Sequence, residues 1–155
     1  MDRQETAQLY EMYAEDVYRL ALSYLRSRHD AEDICQSVFL KLLHTNTALI
    51  PGKEKAWLLS CTANACKNLM NSFWRKNMLE LDESILFEDE TEQELWSVLG
   101  ALPPKLRACI HLYYYEGYSQ AEIADILHIS RTAVQTRMSR AREKLRKELL
   151  WYEDE

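Results

Sequence analysis

Apolar residues recur at three- and four-residue steps along most of this chain, and polar punctuation cuts the pattern into separate helices. From Leu9 the positions Tyr13, Val17, Leu20 and Tyr24 follow helical spacing. Ser27-Arg28-His29 interrupts them before Asp30, a good N-cap, opens a second helix. That helix carries Ile34, Val38 and Leu42, with Cys35, Phe39 and Leu43 alongside, a wide face for burial. Thr45 to Gly52 hold the Pro and Gly expected of a loop. A third helix is predicted from about Glu54 to Lys76, with Leu58, Thr62, Ala65, Leu69 and Phe73 on one side.

The other side of the third helix is polar in an ordered way. Asn64, Asn68, Asn71 and Arg75 stand at i, i+4, i+7 and i+11, flanked by Lys67, Trp74 and Lys76. Asn is a poor mid-helix residue, so three in register ask for a reason. A solvated face is the plain reading. Contact with nucleic acid is the sharper one, because carboxamides read base edges and aromatic rings stack on unpaired bases.

Met78 to Glu90 mixes acids with Leu79, Leu81, Ile85, Leu86 and Phe87 but sustains no stripe, so it reads as a linker. Thr91 with Glu94 forms a capping-box pattern opening a helix through Leu95 and Leu99. Pro103-Pro104 then punctuates, a helix containing Leu106, Ile110 and Tyr113 or Tyr114 follows, and Gly117 closes it. Ser119 and Glu122 form another capping box, ahead of the stripe Ile123, Ala124 and Leu127. After the turn His128-Ile129-Ser130, Ser130 is placed to cap a last helix in which Val134, Met138, Ala141, Leu145 and Leu149 face inward. Arg131, Thr132, Gln135, Thr136 and Arg140 then face outward, the pattern of a helix-turn-helix that offers its second helix to a major groove.

The expected fold is all-α: two small helical domains, 1–77 and 92–155, joined by an acidic linker, 78–91, with no internal repeat. Only three Gly and three Pro among 155 residues agree with a helical chain. No apolar run approaches the roughly 18 residues of a membrane span, and the first residues do not form a basic-then-apolar leader, so a cytoplasmic protein without membrane insertion of its own is expected. Cys35, Cys61, Cys66 and Cys109 lack CxxC spacing and fall on apolar or small-residue positions, which favours buried reduced thiols over zinc ligands or disulfides. No metal or other cofactor is expected. A Gly-rich phosphate loop, an HExxH motif and a nucleophile elbow are all missing, so little supports an enzyme.

A net charge of −6 is unpromising for a nucleic-acid binder until it is resolved along the chain. Met78 to Trp96 holds eight acids and no base, whereas Ser130 to Lys147 holds seven bases and the single acid Glu143. Long-range attraction of the whole molecule to DNA is therefore weak, and something else must deliver it.

Taken together the two halves resemble an extracytoplasmic-function sigma factor, a promoter-recognition subunit of bacterial RNA polymerase. The first half resembles the family's region two through Tyr18-Arg19-Leu20-Ala21, the run from Asp30 to Leu42, and Ala56-Trp57-Leu58. The second resembles region four through Leu102-Pro103, the run Tyr118 to Ala124, and Ser139 to Arg146. A lone helix-turn-helix is a weak signal shared by many self-sufficient regulators; both blocks in this order are highly specific.

The resemblance implies that Asp30, Glu32, Asp33, Gln36 and Phe39 contact the clamp coiled coil of core RNA polymerase. Asp30 and Asp33 also suit any helix N-terminus, and Phe39 fits a core position equally well. It implies that Asn64, Lys67, Asn68, Asn71, Trp74 and Arg75 meet the melted minus-ten element, with a flipped base received by the loop Thr45 to Gly52. The minus-thirty-five element falls to Ser130, Arg131, Thr132, Gln135, Thr136, Arg137 and Arg140.

This chain departs from the family in detail. Thr132 and Ala133 replace the usual Gly and Thr, Gln135 stands where Lys is frequent, and the end of the third helix is less arginine-rich. Promoter DNA and core polymerase are thus the implied partners, with an anti-sigma factor as the implied inhibitor. The linker is implied to thread the polymerase cleft, against the plainer reading of a solubilising acidic tether.

Overall fold

The computed structural model describes residues 1–46, 48–73, 87 and 89–153, with only the backbone given for Phe73 and 150–153. The chain forms two compact units, Met1–Asp82 and Glu83–Glu155. Among the described residues there are helices and turns but no strand.

The first unit holds three helices: α1 (Arg3–Leu25), α2 (Arg28–His44) and α3 (Glu54–Phe73). Asp2 caps α1 by accepting hydrogen bonds from the amides of Gln4 and Glu5, so the helix begins well before the apolar periodicity becomes visible at Leu9. Arg26 turns left-handed (φ 51°) and Ser27 caps α2 by accepting from the amide of Asp30. The expected cap at Asp30 is therefore corrected: Asp30 lies in the first turn, where its carboxylate still faces the positive end of the helix dipole. α1 packs on both α2 and α3. Val17, Leu20, Ala21 and Tyr24 of α1 and Ala31, Ile34, Val38 and Leu42 of α2 are all buried.

On α3 the buried face is rotated from the expected one. Leu58, Leu59, Thr62, Ala63, Cys66 and Met70 are buried, while Ala65 and Leu69 are only half-buried. The buried Thr62 hydroxyl is satisfied by the Leu58 carbonyl at 2.7 Å, so a polar side chain is accommodated without an unmet donor.

The second unit contains α4 (Glu90–Leu99), α5 (Pro104–Ile110), a π-helical turn (His111–Tyr115), α6 (Gln120–Leu127) and α7 (Arg131–Glu153). The cap of α4 is Asp89, which accepts from the Glu92 amide at 2.7 Å. The expected start at Thr91 is thus two residues late, and Asp89 to Thr91 belong to the helix end instead of the linker. Residues 78–86 and Glu88 of that linker lie outside the described residues. Pro103 and Pro104 open α5 as expected, Pro104 taking a position whose amide would have no partner anyway.

Buried Arg107 donates from Nη1 to the Leu102 carbonyl at 2.5 Å, pinning the α4–α5 connection from within. The π turn is marked by the Glu116 amide donating to the His111 carbonyl five residues back, and the Tyr118 amide closes its end on the Leu112 carbonyl six residues back, both at 3.1 Å. Within it Leu112 is buried while Tyr114 stands 61% exposed. Gly117, at φ 77°, then ends the element in the left-handed region that glycine enters without strain.

Three cysteines, Cys35, Cys66 and Cys109, are buried, and all four are free thiols. Burial pushes the thiols of Cys35, Cys61 and Cys66 up from their ordinary value, Cys66 the most; at Cys61 the neighbouring Lys41 partly opposes the effect. A thiol raised on folding holds its proton longer in the native state than in the unfolded one. Its contribution is therefore complete below the unfolded value and is lost as pH rises through the folded one. Alkylation of the native chain at pH 8 is expected to label half-exposed Cys61 before Cys66, and denaturant stability is expected to fall above about pH 9. Equal labelling rates at the two sites would contradict this packing. Leu20→Ala, at a fully buried position, is expected to cost about 2–5 kcal/mol in denaturant unfolding.

Candidate nucleic-acid interface

α6 and α7 are joined as the sequence pattern requires. The Ser119 hydroxyl accepts from the Glu122 amide at 3.1 Å and the Glu122 carboxylate accepts from the Ser119 amide at 3.0 Å, a closed capping box. His128 takes the left-handed conformation (φ 55°), and the Ile129 amide donates back to the Ala124 carbonyl at 3.1 Å. Ser130 then caps α7 by accepting from the Ala133 amide at 3.0 Å. Val134, Met138 and Ala141 are completely buried against the rest of the unit. Leu145 is half-buried and Leu149 is 54% exposed, because the stripe continues past the elements it packs on.

That burial fixes which side chains of α7 look outward. Arg131, Thr132, Gln135, Thr136 and Arg140 are exposed. Thr136 spends its hydroxyl proton on the Thr132 carbonyl at 2.9 Å, leaving lone pairs and a methyl group to meet a ligand. Ser130 is occupied as a cap, which makes it a positioner of the helix before it is anything else.

Arg137 stands apart: it is half-buried, and its Nη1 is buried without a hydrogen-bond partner among the described residues. At about 100° per residue it flanks the Val134–Met138–Ala141 side instead of the Thr132–Thr136–Arg140 side. Gln135, Thr136, Ser139, Arg140, Arg142 and Glu143 line one shallow concavity with Gln120 from the first turn of α6.

The sequence pattern gave no sign of a contact that the π turn makes with α7. Arg142 donates from Nε to the Tyr114 hydroxyl at 3.3 Å, and its guanidinium sits 5.6 Å from the centre of the Tyr113 ring. The two tyrosines meet edge to face at 4.9 Å. The Tyr114 hydroxyl foremost, with Tyr113 adding to it, favours the charged guanidinium and raises its pKa further against a smaller effect of desolvation.

In the first unit, Asn64, Asn68 and Asn71 are all exposed and Lys67 is half-buried beside them. The expected stripe therefore exists on α3, opposite the buried Leu59–Ala63–Cys66–Met70 side. Trp74 and Arg75, assigned to the same surface, lie outside the described residues. On α2, Glu32 pairs with Arg28 at 3.2 Å and Asp33 with His29 at 3.4 Å, both exposed i,i+4 contacts of little energetic weight. Gln36 is exposed and Asp30 half-buried.

Phe39 is the exception on α2. It is only 6% exposed and packs edge-on against Tyr10 of α1 at 5.0 Å, so its core reading is the one the structure adopts. Tyr10 (51% exposed) and Met12 (62%) of α1 and Leu40 (57%) of α2 are the large apolar groups these two helices expose, and helical spacing alone did not single them out. No group of three or more metal-ligating side chains, and no helix long and apolar enough to cross a membrane, occurs among the described residues.

Comparison with known proteins covers both units. The Sigma-70 region 2 model matches residues 9–77 and the Sigma-70, region 4 model matches residues 92–145. The ECF RNA polymerase sigma factor SigE of Mycolicibacterium smegmatis is 30% identical over 152 residues, which is 90% of this chain and 59% of that protein. SigM of Bacillus subtilis, also an ECF RNA polymerase sigma factor, is 28% identical over 150 residues, covering 90% of this chain and 91% of its own.

Two solved structures share the fold. The sigma factor RpoE, in complex with the anti-sigma factor NepR from Bartonella quintana, aligns with a TM-score of 0.80 at 21% identity over 94% of this chain and 97% of that one. CnrH in complex with the cytosolic domain of CnrY aligns with a TM-score of 0.70 at 27% identity over 96% and 89%.

Replacing Asn64, Asn68 and Asn71 together by Ala removes three poor helix formers from exposed positions, each disfavoured by about 0.5 kcal/mol relative to Ala. The triple variant is expected to unfold at higher denaturant than the parent. A lower midpoint would show that the carboxamides serve the fold and not a ligand.

Proposed function

The chain belongs to the sigma-70 family, as a sigma factor of the ECF type carrying regions two and four, and from that premise we propose how its two surfaces divide the work of starting transcription. It binds core RNA polymerase and directs it to particular promoters. The polymerase makes the phosphodiester bonds; this chain holds and helps to open the DNA, in the cytoplasm where that enzyme works.

The observation that carries the reading is the helix-turn-helix itself. A closed capping box and a fully buried inner stripe leave Arg131, Thr132, Gln135, Thr136 and Arg140 together on the outside of α7. Gln135 suits the N6/N7 edge of adenine, and Arg131 or Arg140 the O6/N7 edge of guanine, each good bidentate pair giving about 1–3 kcal/mol of discrimination. These residues read the minus-thirty-five element, with Arg137, tucked beside the buried stripe, supporting the helix from its edge. Residues 92–155 form this module and residues 1–77 the other.

The first module takes the polymerase and the minus-ten element. Asp30, Glu32, Asp33 and Gln36 offer an acidic, hydrogen-bonding helix face to the clamp, with Phe39 bracing Tyr10 behind it. Asn64, Lys67, Asn68 and Asn71 meet the opened strand, and Trp74 and Arg75 extend that surface by sequence register. The structural neighbour RpoE was solved with an anti-sigma factor, which supports an inhibitor of that class for this chain.

Mapping transcript starts made by core polymerase with this chain on a library of bacterial upstream regions is expected to give defined starts sharing two spaced elements. Initiation at no defined place would end the proposal. Arg140→Ala is expected to weaken binding on promoters with the preferred upstream base by roughly 5- to 100-fold and to relax preference at that position. Asn68→Ala is expected to slow promoter opening while affinity for core polymerase stays within about twofold, as for an exposed substitution distant from α2. Equal loss of both would assign Asn68 to folding.

A further inference from the structure

Arg142 is placed differently from the other basic residues of α7. It comes seven residues after Gln135, so it lies on the same side of the helix about 10 Å further along. A helix in the major groove reads bases with its first turns and meets the sugar–phosphate rim with later ones. Arg142 also lines the concavity that holds Gln135, Thr136 and Arg140.

An exposed arginine ordinarily samples many rotamers. Here the side chain is held from a second element, by the Tyr114 hydroxyl at Nε (3.3 Å) and by the Tyr113 ring beneath the guanidinium (5.6 Å). Both tyrosines stand in the π turn, Tyr113 half-buried and Tyr114 exposed, and their mutual edge-to-face packing fixes the platform. The nearest acid in sequence, Glu143, is engaged by Lys147 at 3.6 Å, so it does not draw Arg142 away. With Nε donating to Tyr114, the Nη groups retain their donors for an oxyanion.

We propose that Tyr113 and Tyr114 are positioning residues for Arg142: the π turn presents two rings that hold this guanidinium at the rim of the reading surface, where it takes a backbone phosphate of the bound duplex. The inference rests on the helix-turn-helix reading promoter DNA, as argued above. It assigns Arg142 to affinity and register, with no part in base choice. It also gives the π turn a purpose, since a regular α-helical continuation would present these side chains in a different phase.

The test uses the full chain and the polymerase holoenzyme on a promoter found by start mapping. In the free chain, the Arg142 Nε–H proton is expected to exchange slowly by NMR and to lose that protection in Tyr114→Phe, which keeps the ring and removes the acceptor. In the holoenzyme, Arg142→Ala is expected to lower the slope of log affinity against log salt by roughly one, the signature of one phosphate contact. Tyr114→Phe is expected to weaken promoter binding about threefold, the scale of one hydrogen bond, equally on all promoters. In the Arg142→Ala background it is expected to have no further effect.

An unchanged salt slope in Arg142→Ala would overturn the inference. So would an undiminished effect of Tyr114→Phe when Arg142 is already absent, because the tyrosine would then act through the fold. Failure of the wild-type holoenzyme to form any defined promoter complex would instead strike the function proposed above, and the two failures are read from different samples.

Discussion

The rotational phase of α7 is the constraint on which the reading surface depends. Val134, Met138 and Ala141 are completely excluded from water, and a helix anchored at three successive turns cannot rotate without exposing them. Burying side chains such as these contributes on the order of 1–3 kcal/mol each, so a turn of even one residue's worth is strongly opposed. The outward set from Arg131 to Arg140 is the complement of that buried set. Recognition thus begins in the core, and the caps at Ser119 and Ser130 set where each helix starts so that the two phases agree.

Electrostatics divides the labour in a related way. Seven of the nineteen basic residues crowd onto α7, while the molecule as a whole is acidic, with a net charge of −6. Such a cluster gains from counterion release only at short range, and the overall field does not draw the free chain toward a polyanion. A protein of this kind suits delivery by a larger assembly that already holds the DNA. The exposed carboxamides on α3 fit the same pattern, being neutral groups that add nothing to a long-range field.

Most helices were legible because their periodicity was unambiguous. The stripes of α6 and the first half of α7, Ile34, Val38 and Leu42 of α2, and α1 from Val17 onward are buried where three- and four-residue spacing puts them, while Leu9 and Tyr13 near the start of α1 are only half-buried. Where two patterns overlapped, local reasoning chose wrongly. On α3, Leu58–Thr62–Ala65–Leu69 and Leu59–Ala63–Cys66–Met70 are adjacent candidate stripes, and packing against α1 and α2 selects mainly the second.

Asp89 with Glu92 and Thr91 with Glu94 are likewise competing starts for one helix, and Asp89 takes the cap. No residue type encodes an i→i+5 hydrogen bond, so the π turn was invisible. So was the contact between Arg142 and Tyr114, which are 28 residues apart in sequence. The helix-turn-helix surface and the Asn stripe were readable because exposure follows from periodicity. Phe39 was not settled by pattern, since a buried and a presented aromatic have the same spacing.

His128 adopts a backbone conformation that costs a side-chain-bearing residue about 1–2 kcal/mol relative to the right-handed form. The turn persists because the flanking helices are locked on either side: Leu127 and Val134 are buried, and the Ile129 amide is tied to Ala124. The angle between the two helices is therefore dictated by the walls and not by the hinge. Glycine at that corner would shed the penalty and leave the blade its edge.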